Sequence, residues 1–187
     1  MSRTASDAPA PTPDRADPHT GWPAPTAADV EAASRQRGRP MRGMVAVGHR
    51  CPCGEPDVVV TAPRLPGGTP FPTTFYATCP RLTGAVSTLE SEGMMRAMTE
   101  RLGTDAELRS AYAAAHEDYL ARRSALGYVA EIDGISAGGM PDRVKCLHVL
   151  VAHALSVGPG VNPLGDEALA ALPEWWADHP CSETLEP

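Results

Sequence analysis

The sequence predicts an α+β fold in which a small antiparallel sheet of about three strands packs on four to five helices. Two observations carry this prediction. Between residues 44 and 78, three short runs rich in β-branched and aromatic residues are separated by Gly and Pro. Beyond Pro80, apolar residues recur instead at the spacing of one helix face.

The chain divides into three parts by composition. Residues 1–25 hold six prolines among Ala, Asp and Thr, and they predict a disordered tail because such a segment buries little apolar surface. Residues 26–172 are expected to form a single folded domain. Residues 173–187 are expected to form an acidic C-terminal segment, since the stretch 165–187 holds six acidic residues and no Lys or Arg.

The first helix is predicted to begin after Thr26, an N-cap residue that Asp29 follows at the spacing of a capping box. Gly38 and Pro40 are expected to end it. Three strands are predicted next, at residues 44–49, 57–62 and 73–78. The sequence Pro-Gly-Gly-Thr-Pro at residues 66–70 predicts the connection of a hairpin between the second and third strands.

The second half of the chain is predicted to be helical. Apolar spacing indicates a helical stretch over about residues 82–102. Thr104 and Glu107 form a candidate capping box ahead of a long helix that runs to about Leu126 and ends at Gly127. After a glycine-rich loop at residues 131–140, two further helices are predicted, at about 141–157 and 166–172.

Charge and hydropathy exclude several classes of partner. The most apolar run, residues 144–157, is shorter than the roughly 20 residues that cross a bilayer. The N-terminus lacks the basic and apolar segments of an export signal, so we expect a cytoplasmic protein without a membrane partner. Residues 41–164 carry a net charge of −1 and no basic stripe, so nucleic acid is not an expected ligand.

The cysteines are the strongest chemical signal. In a reducing compartment, clustered cysteines point to metal binding or catalysis more than to disulfides. Cys51 and Cys53 follow the first predicted strand, Cys79 follows the third, and Cys146 lies in the first turns of a predicted helix. The sequence predicts a metal centre made by these four thiols, with Cys181 as the odd cysteine left over.

The identity of the metal stays open between zinc and a 4Fe-4S cluster, because each takes four thiolates. Two other interpretations also remain, namely unliganded buried thiols and a redox dithiol. His153 and, more weakly, His49 are alternative ligands. A neutral histidine in the protein core is the commoner situation for His153.

A glycine-rich segment before Cys146 is the second candidate site. Gly138 and Gly139 precede the predicted start of a helix, where free amides and the helix dipole favour an anion. Arg143 and Lys145, the only lysine of the chain, could add positive charge. The alternative is that the glycines only supply the dihedral angles of a turn.

Several long motifs occur in one order along the chain. They are RCPCG at 50–54, TAPRLPGGTPFP at 61–72, TCPR at 78–81, GISAGGMPDRVKCLH at 134–148 and GPGVNPLG at 158–165. Together they resemble the bacterial family called domain of unknown function 501, over roughly residues 27–172. Members of that family are encoded in high-GC Gram-positive bacteria beside genes for enolase, a septum formation initiator and an exopolyphosphatase, which implies a link to cell division or phosphate metabolism.

Two function classes follow from these observations. In the first, the metal is structural, and the protein is a regulatory or scaffolding module that binds a protein partner or a small anionic ligand. In the second, an iron-sulfur cluster or an activated thiolate works on a small anionic substrate. Asp142, Lys145 and His148 are then the candidate catalytic groups.

Overall fold

The computed structural model describes residues 21–177 and residue 181. Its strands are Met44–Arg50 (β1), Pro56–Thr61 (β2) and Phe75–Ala77 (β3), which form an antiparallel sheet in the order β1-β2-β3. The helices are Ala27–Arg37 (α1), Pro80–Ser91 (α2), Met94–Thr104 (α3), Ala106–Leu126 (α4), Leu147–Val157 (α5) and Pro163–Ala170 (α6), with a 3-10 turn at Ala130–Ile132. The predicted α+β class is therefore confirmed.

The sheet is covered on both faces at its central strand. All six residues of β2 are buried, and successive side chains of a strand point to opposite faces. Val58 and Val60 belong to the main core, where α5 contacts all three strands. The helix α1 also contacts β2. A central position explains why β2 is a run of β-branched residues rather than an alternating pattern.

Local sequence signals account for most of the helix ends. The Thr26 side chain accepts from the Asp29 amide while the Asp29 side chain accepts from the Thr26 amide, so the predicted capping box is present. Gly127 ends α4 and Gly158 ends α5, as predicted. Thr104, however, is the last residue of α3, and Asp105 is the N-cap of α4.

The described residues contain six α-helices rather than four to five. The helical stretch predicted at residues 82–102 is broken, because Gly93 has a φ of 90° and starts a new helix. Only glycine reaches that left-handed conformation at low cost.

The helix α5 begins at residue 147, six residues later than predicted. The preceding backbone is closed into a turn in which the Lys145 amide donates to the Gly138 carbonyl (2.7 Å) and the Arg143 amide to the Gly139 carbonyl (3.1 Å). The Val144 amide donates to Thr99 Oγ1 of α3 (3.0 Å). Two local turn bonds and one tertiary bond thus engage amides that an earlier helix start would need.

The folded part begins before residue 26. Trp22 is buried, its Nε1 donates to the Ser156 carbonyl at 2.8 Å, and the Val47 amide donates to the Pro23 carbonyl. Residues 1–20 of the predicted tail lie outside the described residues, as do 178–180 and 182–187 of the predicted acidic segment. None of the helices in the described part is long and apolar enough to span a bilayer.

Candidate metal centres

Cys51 and Cys53 lie in the tight connection between β1 and β2. The Cys51 amide donates to the Glu55 carbonyl at 3.0 Å, and the Gly54 amide donates to the Cys51 carbonyl at 2.8 Å. Gly54 has a φ of 91°. The turn requires this left-handed conformation, which glycine adopts at low cost. The turn places two thiols one residue apart at the end of the hairpin.

Cys79 is the N-cap residue of α2, with Pro80 at the first helical position. Its sulfur makes no capping hydrogen bond of good geometry, but the amides of Arg81 and Leu82 face it and contribute to a lowered thiol pKa. A helix N-terminus favours negative charge, so this position suits a thiolate.

Cys181 lies beside the thiols of the turn between β1 and β2. The sulfurs of Cys51, Cys53 and Cys181 all lie within 4.8 Å of one another, and the Cys181 amide points at Cys53 Sγ from 3.5 Å. Cys79 lies near Cys181, which lowers the pKa of the Cys79 thiol, but the Cys79 sulfur is not within 4.8 Å of all three of the others. We call Cys51, Cys53, Cys79 and Cys181 the four-cysteine cluster. Its members are buried except Cys53, which is half-buried.

The thiols of the cluster have unequal proton affinities. The contact with Cys181 lowers the pKa of Cys79 to about 7, whereas burial raises the pKa of Cys51 to about 11. The contact with Cys79, together with burial, raises the pKa of Cys181. For Cys53, burial acts upward, but amide hydrogen bonds from Cys181 and Glu55 outweigh it and lower the pKa.

Cys146, the predicted fourth thiol, lies in a different group. It is the N-cap residue of α5, and its sulfur is 3.8 Å from Nδ1 of His148. Glu90, in the last turn of α2, places Oε1 3.2 Å from the same nitrogen. The structure therefore groups Cys181, predicted as the odd cysteine, with Cys51 and Cys53, and groups Cys146 with Glu90 and His148.

The Glu90–Cys146–His148 group is held by backbone hydrogen bonds. Glu90 Oε1 accepts from the Leu147 amide at 2.6 Å, and Nε2 of His148 lies 3.1 Å from the Thr83 carbonyl oxygen. The contact with Cys146, aided by the charge of Glu90, raises the pKa of His148 to about 9. The three ligand atoms lie within 4.8 Å of one another.

Two members of this group line a cavity, whereas three members of the four-cysteine cluster are buried. Cys146 and His148 line a cavity of about 340 Å³. The remaining lining residues are Thr73, Phe75, Tyr76, Ala77, Thr83 and Val149. The side chains of Glu90 and His148 are 22% and 27% exposed. A ligand of modest size could therefore reach Cys146 and His148.

The family model described as protein of unknown function (DUF501) matches residues 47–170. The chain belongs to this family. The resemblance predicted from the motifs is thereby confirmed. Searches of curated proteins and of solved structures find no match. The DUF501 match includes Cys51, Cys53, Cys79 and Cys146 and ends before Cys181.

The glycine-rich segment of this DUF501 chain forms the turn ahead of α5. Gly138 and Gly139 have φ values of 76° and 92°, and a Cβ on Gly139 would come within 2.8 Å of the Arg143 carbonyl oxygen. Turn geometry therefore explains both glycines. Arg143 and Lys145 are exposed, and anion binding by their side chains stays a prediction.

The first amide of α5 is already engaged within the protein. The Leu147 amide, at the first position of the helix, donates to Glu90. A carboxylate of the chain itself thus lies where an external anion was expected. Asp142, the other candidate catalytic group, is exposed like its neighbours Arg143 and Lys145.

The two alternative histidine ligands have other partners. His153 is fully buried, with Nε2 2.9 Å from Asp118 Oδ2 and Nδ1 3.3 Å from Asn162 Nδ2. His153 is therefore a core histidine, the commoner of its two readings. His49 Nδ1 lies 2.7 Å from Oδ1 of the buried Asp57.

Two members of these groups were not predicted as site residues from the sequence. Cys181 follows the aromatic pair Trp175 and Trp176, which packs against the core, so that pair was a signal that the C-terminal segment docks. Glu90 gave no signal, because an acidic residue near the end of a helix is ordinarily a solvated one.

Proposed function

We propose that this DUF501 protein binds one zinc ion through the four-cysteine cluster, as a structural centre. The observation that carries the proposal is the convergence of Cys51, Cys53 and Cys181 within 4.8 Å, with Cys79 in contact with Cys181. In a tetrahedral site with Zn–S bonds of about 2.3 Å, neighbouring sulfurs lie roughly 3.8 Å apart. The spacing of Cys51, Cys53 and Cys181 needs little adjustment to reach that value, whereas the Cys79 sulfur lies outside their 4.8 Å group and would have to move closer to act as the fourth ligand.

The same spacing favours a single ion over a 4Fe-4S cluster. Each thiolate of a four-iron cluster binds a different iron atom, so its sulfurs are held further apart than the ligands of one ion. Cys51 and Cys53 are separated by one residue and belong to one compact group with Cys181. A mononuclear centre accommodates that arrangement directly.

Zinc in this position would connect three parts of the chain: the turn between β1 and β2, the start of α2, and the C-terminal segment. Four thiolates and one Zn²⁺ carry a net charge of −2. The Cys181 amide and the first turn of α2 point at the sulfurs and offset part of that charge. The function supported best is therefore that of a scaffolding or regulatory module whose C-terminal segment docks when zinc is bound.

Metal analysis of the full-length protein, purified under reducing conditions, tests this proposal. One zinc per chain should survive dialysis against a weak chelator in the wild type and be lost in Cys79→Ser and Cys181→Ser. Cys146→Ser is the matched control, because it removes a half-buried cysteine outside the cluster, and it should keep this ion. Equal retention in Cys181→Ser and wild type would overturn the ligand set. A disulfide to Cys181 in protein isolated anaerobically with reductant would indicate thiol pairing instead of a metal.

A further inference from the structure

We infer that Glu90, Cys146 and His148 form a second transition-metal site, with three protein ligands and one open coordination position that faces the cavity. The donor atoms are Oε1, Sγ and Nδ1, and all three lie within 4.8 Å of one another. The site goes beyond the structural centre, with which it shares no residue.

The orientation of His148 is the first argument. Nε2 lies 3.1 Å from the Thr83 carbonyl oxygen, which can only accept a hydrogen bond, so this nitrogen carries a hydrogen. Nδ1 then points at Glu90 Oε1 (3.2 Å) and Cys146 Sγ (3.8 Å). A histidine that donates its other N–H to a backbone carbonyl is typical of metal ligands, because the bond fixes the tautomer and the ring.

The convergence of acceptors is the second argument. Nδ1 faces a carboxylate oxygen and a sulfur, so the three donor atoms converge on one point. In the metal-free protein a proton on Nδ1 lies between them, and a metal ion would take its place. A metal ion satisfies all three at once, whereas a proton on Nδ1 is shared between two acceptors.

Glu90 is placed independently of any metal. Its Oε1 accepts from the Leu147 amide at the first position of α5, so the packing of α2 against α5 fixes the carboxylate. Oxygen, nitrogen and sulfur donors together suit a borderline ion such as Zn²⁺ or Co²⁺ and do not suit Mg²⁺ or Ca²⁺. One thiolate and one carboxylate also neutralise the two charges of such an ion.

Three protein ligands and an accessible fourth position are the pattern of catalytic rather than structural zinc. Here Cys146 and His148 line the cavity of about 340 Å³, and Phe75 and Val149 contribute apolar surface to it. The ligand class that fits is a small molecule with one oxygen or sulfur donor and an apolar remainder. This donor atom would replace a water molecule on the metal. The metal and its thiolate and carboxylate ligands together carry no net charge.

Cobalt titration of the full-length protein tests the site. Protein that has first received one equivalent of zinc should bind one further equivalent of Co²⁺ and develop the visible absorption of a four-coordinate ion. Cys146→Ser, His148→Gln and Glu90→Gln should each weaken this binding at least tenfold. His116→Gln is the matched control, because this histidine bonds Ser136 elsewhere in the fold. Adding 2-mercaptoethanol should shift the wild-type absorption if the fourth position is open.

Several results would overturn the inference. They are the absence of a second equivalent, equal binding in wild type and Glu90→Gln, and an absorption that the added thiol leaves unchanged. Glu90→Gln keeps an acceptor for the Leu147 amide, so loss of metal in that variant is not a folding failure, and a thermal melt checks this. If the four-cysteine centre alone fails, protein titrated with Co²⁺ without added zinc should still bind one equivalent that Cys146→Ser removes and Cys181→Ser keeps, so the two outcomes are distinguishable. Alkylation of Cys146 at the same rate with and without metal would indicate a metal-free thiol site.

Discussion

The two cysteine sites use opposite ends of one helix and differ in nearly every property. Cys79 caps the start of α2, and Glu90 lies in its last turn. The four-cysteine cluster is all sulfur and largely buried, whereas the Glu90–Cys146–His148 group has three kinds of donor and borders a cavity. Burial and uniform thiolate ligation are typical of structural metal sites, and a mixed, accessible set is typical of reactive ones. If both groups bind metal as proposed, the first would supply stability and the second ligand exchange.

The largest expected difference is in stability. Cys79→Ser keeps a good N-cap residue for α2 but removes a ligand, so we expect a loss on the order of 3 kcal/mol, because losing a structural metal is among the severe causes of destabilisation. That corresponds to roughly 6–12 °C in melting temperature for a domain of this size. Cys146→Ser should cost less than about 1 kcal/mol. Melting both variants with zinc present checks this, and equal losses would remove the distinction between the sites.

The next difference is in the rate of metal loss. A chelator can attack an ion with an open coordination position directly, whereas a closed site must first release a ligand. We expect at least about a tenfold faster release from the Glu90–Cys146–His148 group, measured as two phases after mixing zinc-loaded protein with a colorimetric chelator. The fast phase should disappear in Cys146→Ser and persist in Cys181→Ser. A fast phase unaffected by Cys146→Ser would argue against the assignment.

The thiols of the two sites should also differ in the rate at which they react with an alkylating reagent. After brief chelation, iodoacetamide is expected to label Cys146 several-fold faster than Cys51, Cys79 or Cys181, because the other three are buried and still liganded. Peptide mapping by mass spectrometry measures the order. Preferential labelling of Cys79 would contradict it.

The smallest expected effect concerns the helix cap that Glu90 supplies. Glu90→Ala leaves the Leu147 amide without its partner and should cost about 1 kcal/mol, whereas Glu90→Gln keeps an acceptor and should cost less. Denaturant unfolding of the two variants without added metal isolates this contribution. If both variants lose the same stability, the carboxylate is not acting as an acceptor for α5.

Local chemistry made much of the fold predictable. The capping box of Thr26 and Asp29, the three strands and the glycine ends of α4 and α5 depend on neighbouring residues, and they appear where the sequence places them. The proximity of Cys51 and Cys53, and the position of Cys79 at the end of a strand that pairs with β2, were also accessible, because these cysteines flank paired strands. Their spacing along the hairpin brings them to one region of the molecule.

The fourth thiol was not predictable in the same way. The start of α5 depends on Thr99 and on the turn at Gly138 and Gly139. Because these contacts delay the helix, Cys146 has an extended backbone and serves as the N-cap instead of lying inside the helix. Its sulfur then lies beside His148 and Glu90. These are contacts between distant elements, and no periodicity or spacing in the chain encodes them.

The central claim is that Cys181, and not Cys146, completes the sulfur-only centre. X-ray absorption at the zinc edge of the Cys146→Ser variant, after removal of weakly bound metal, tests it most directly. The account predicts one zinc per chain with four sulfur neighbours at about 2.3 Å and no nitrogen or oxygen neighbour. A zinc that has lost a sulfur in this variant, or no bound zinc at all, would contradict it.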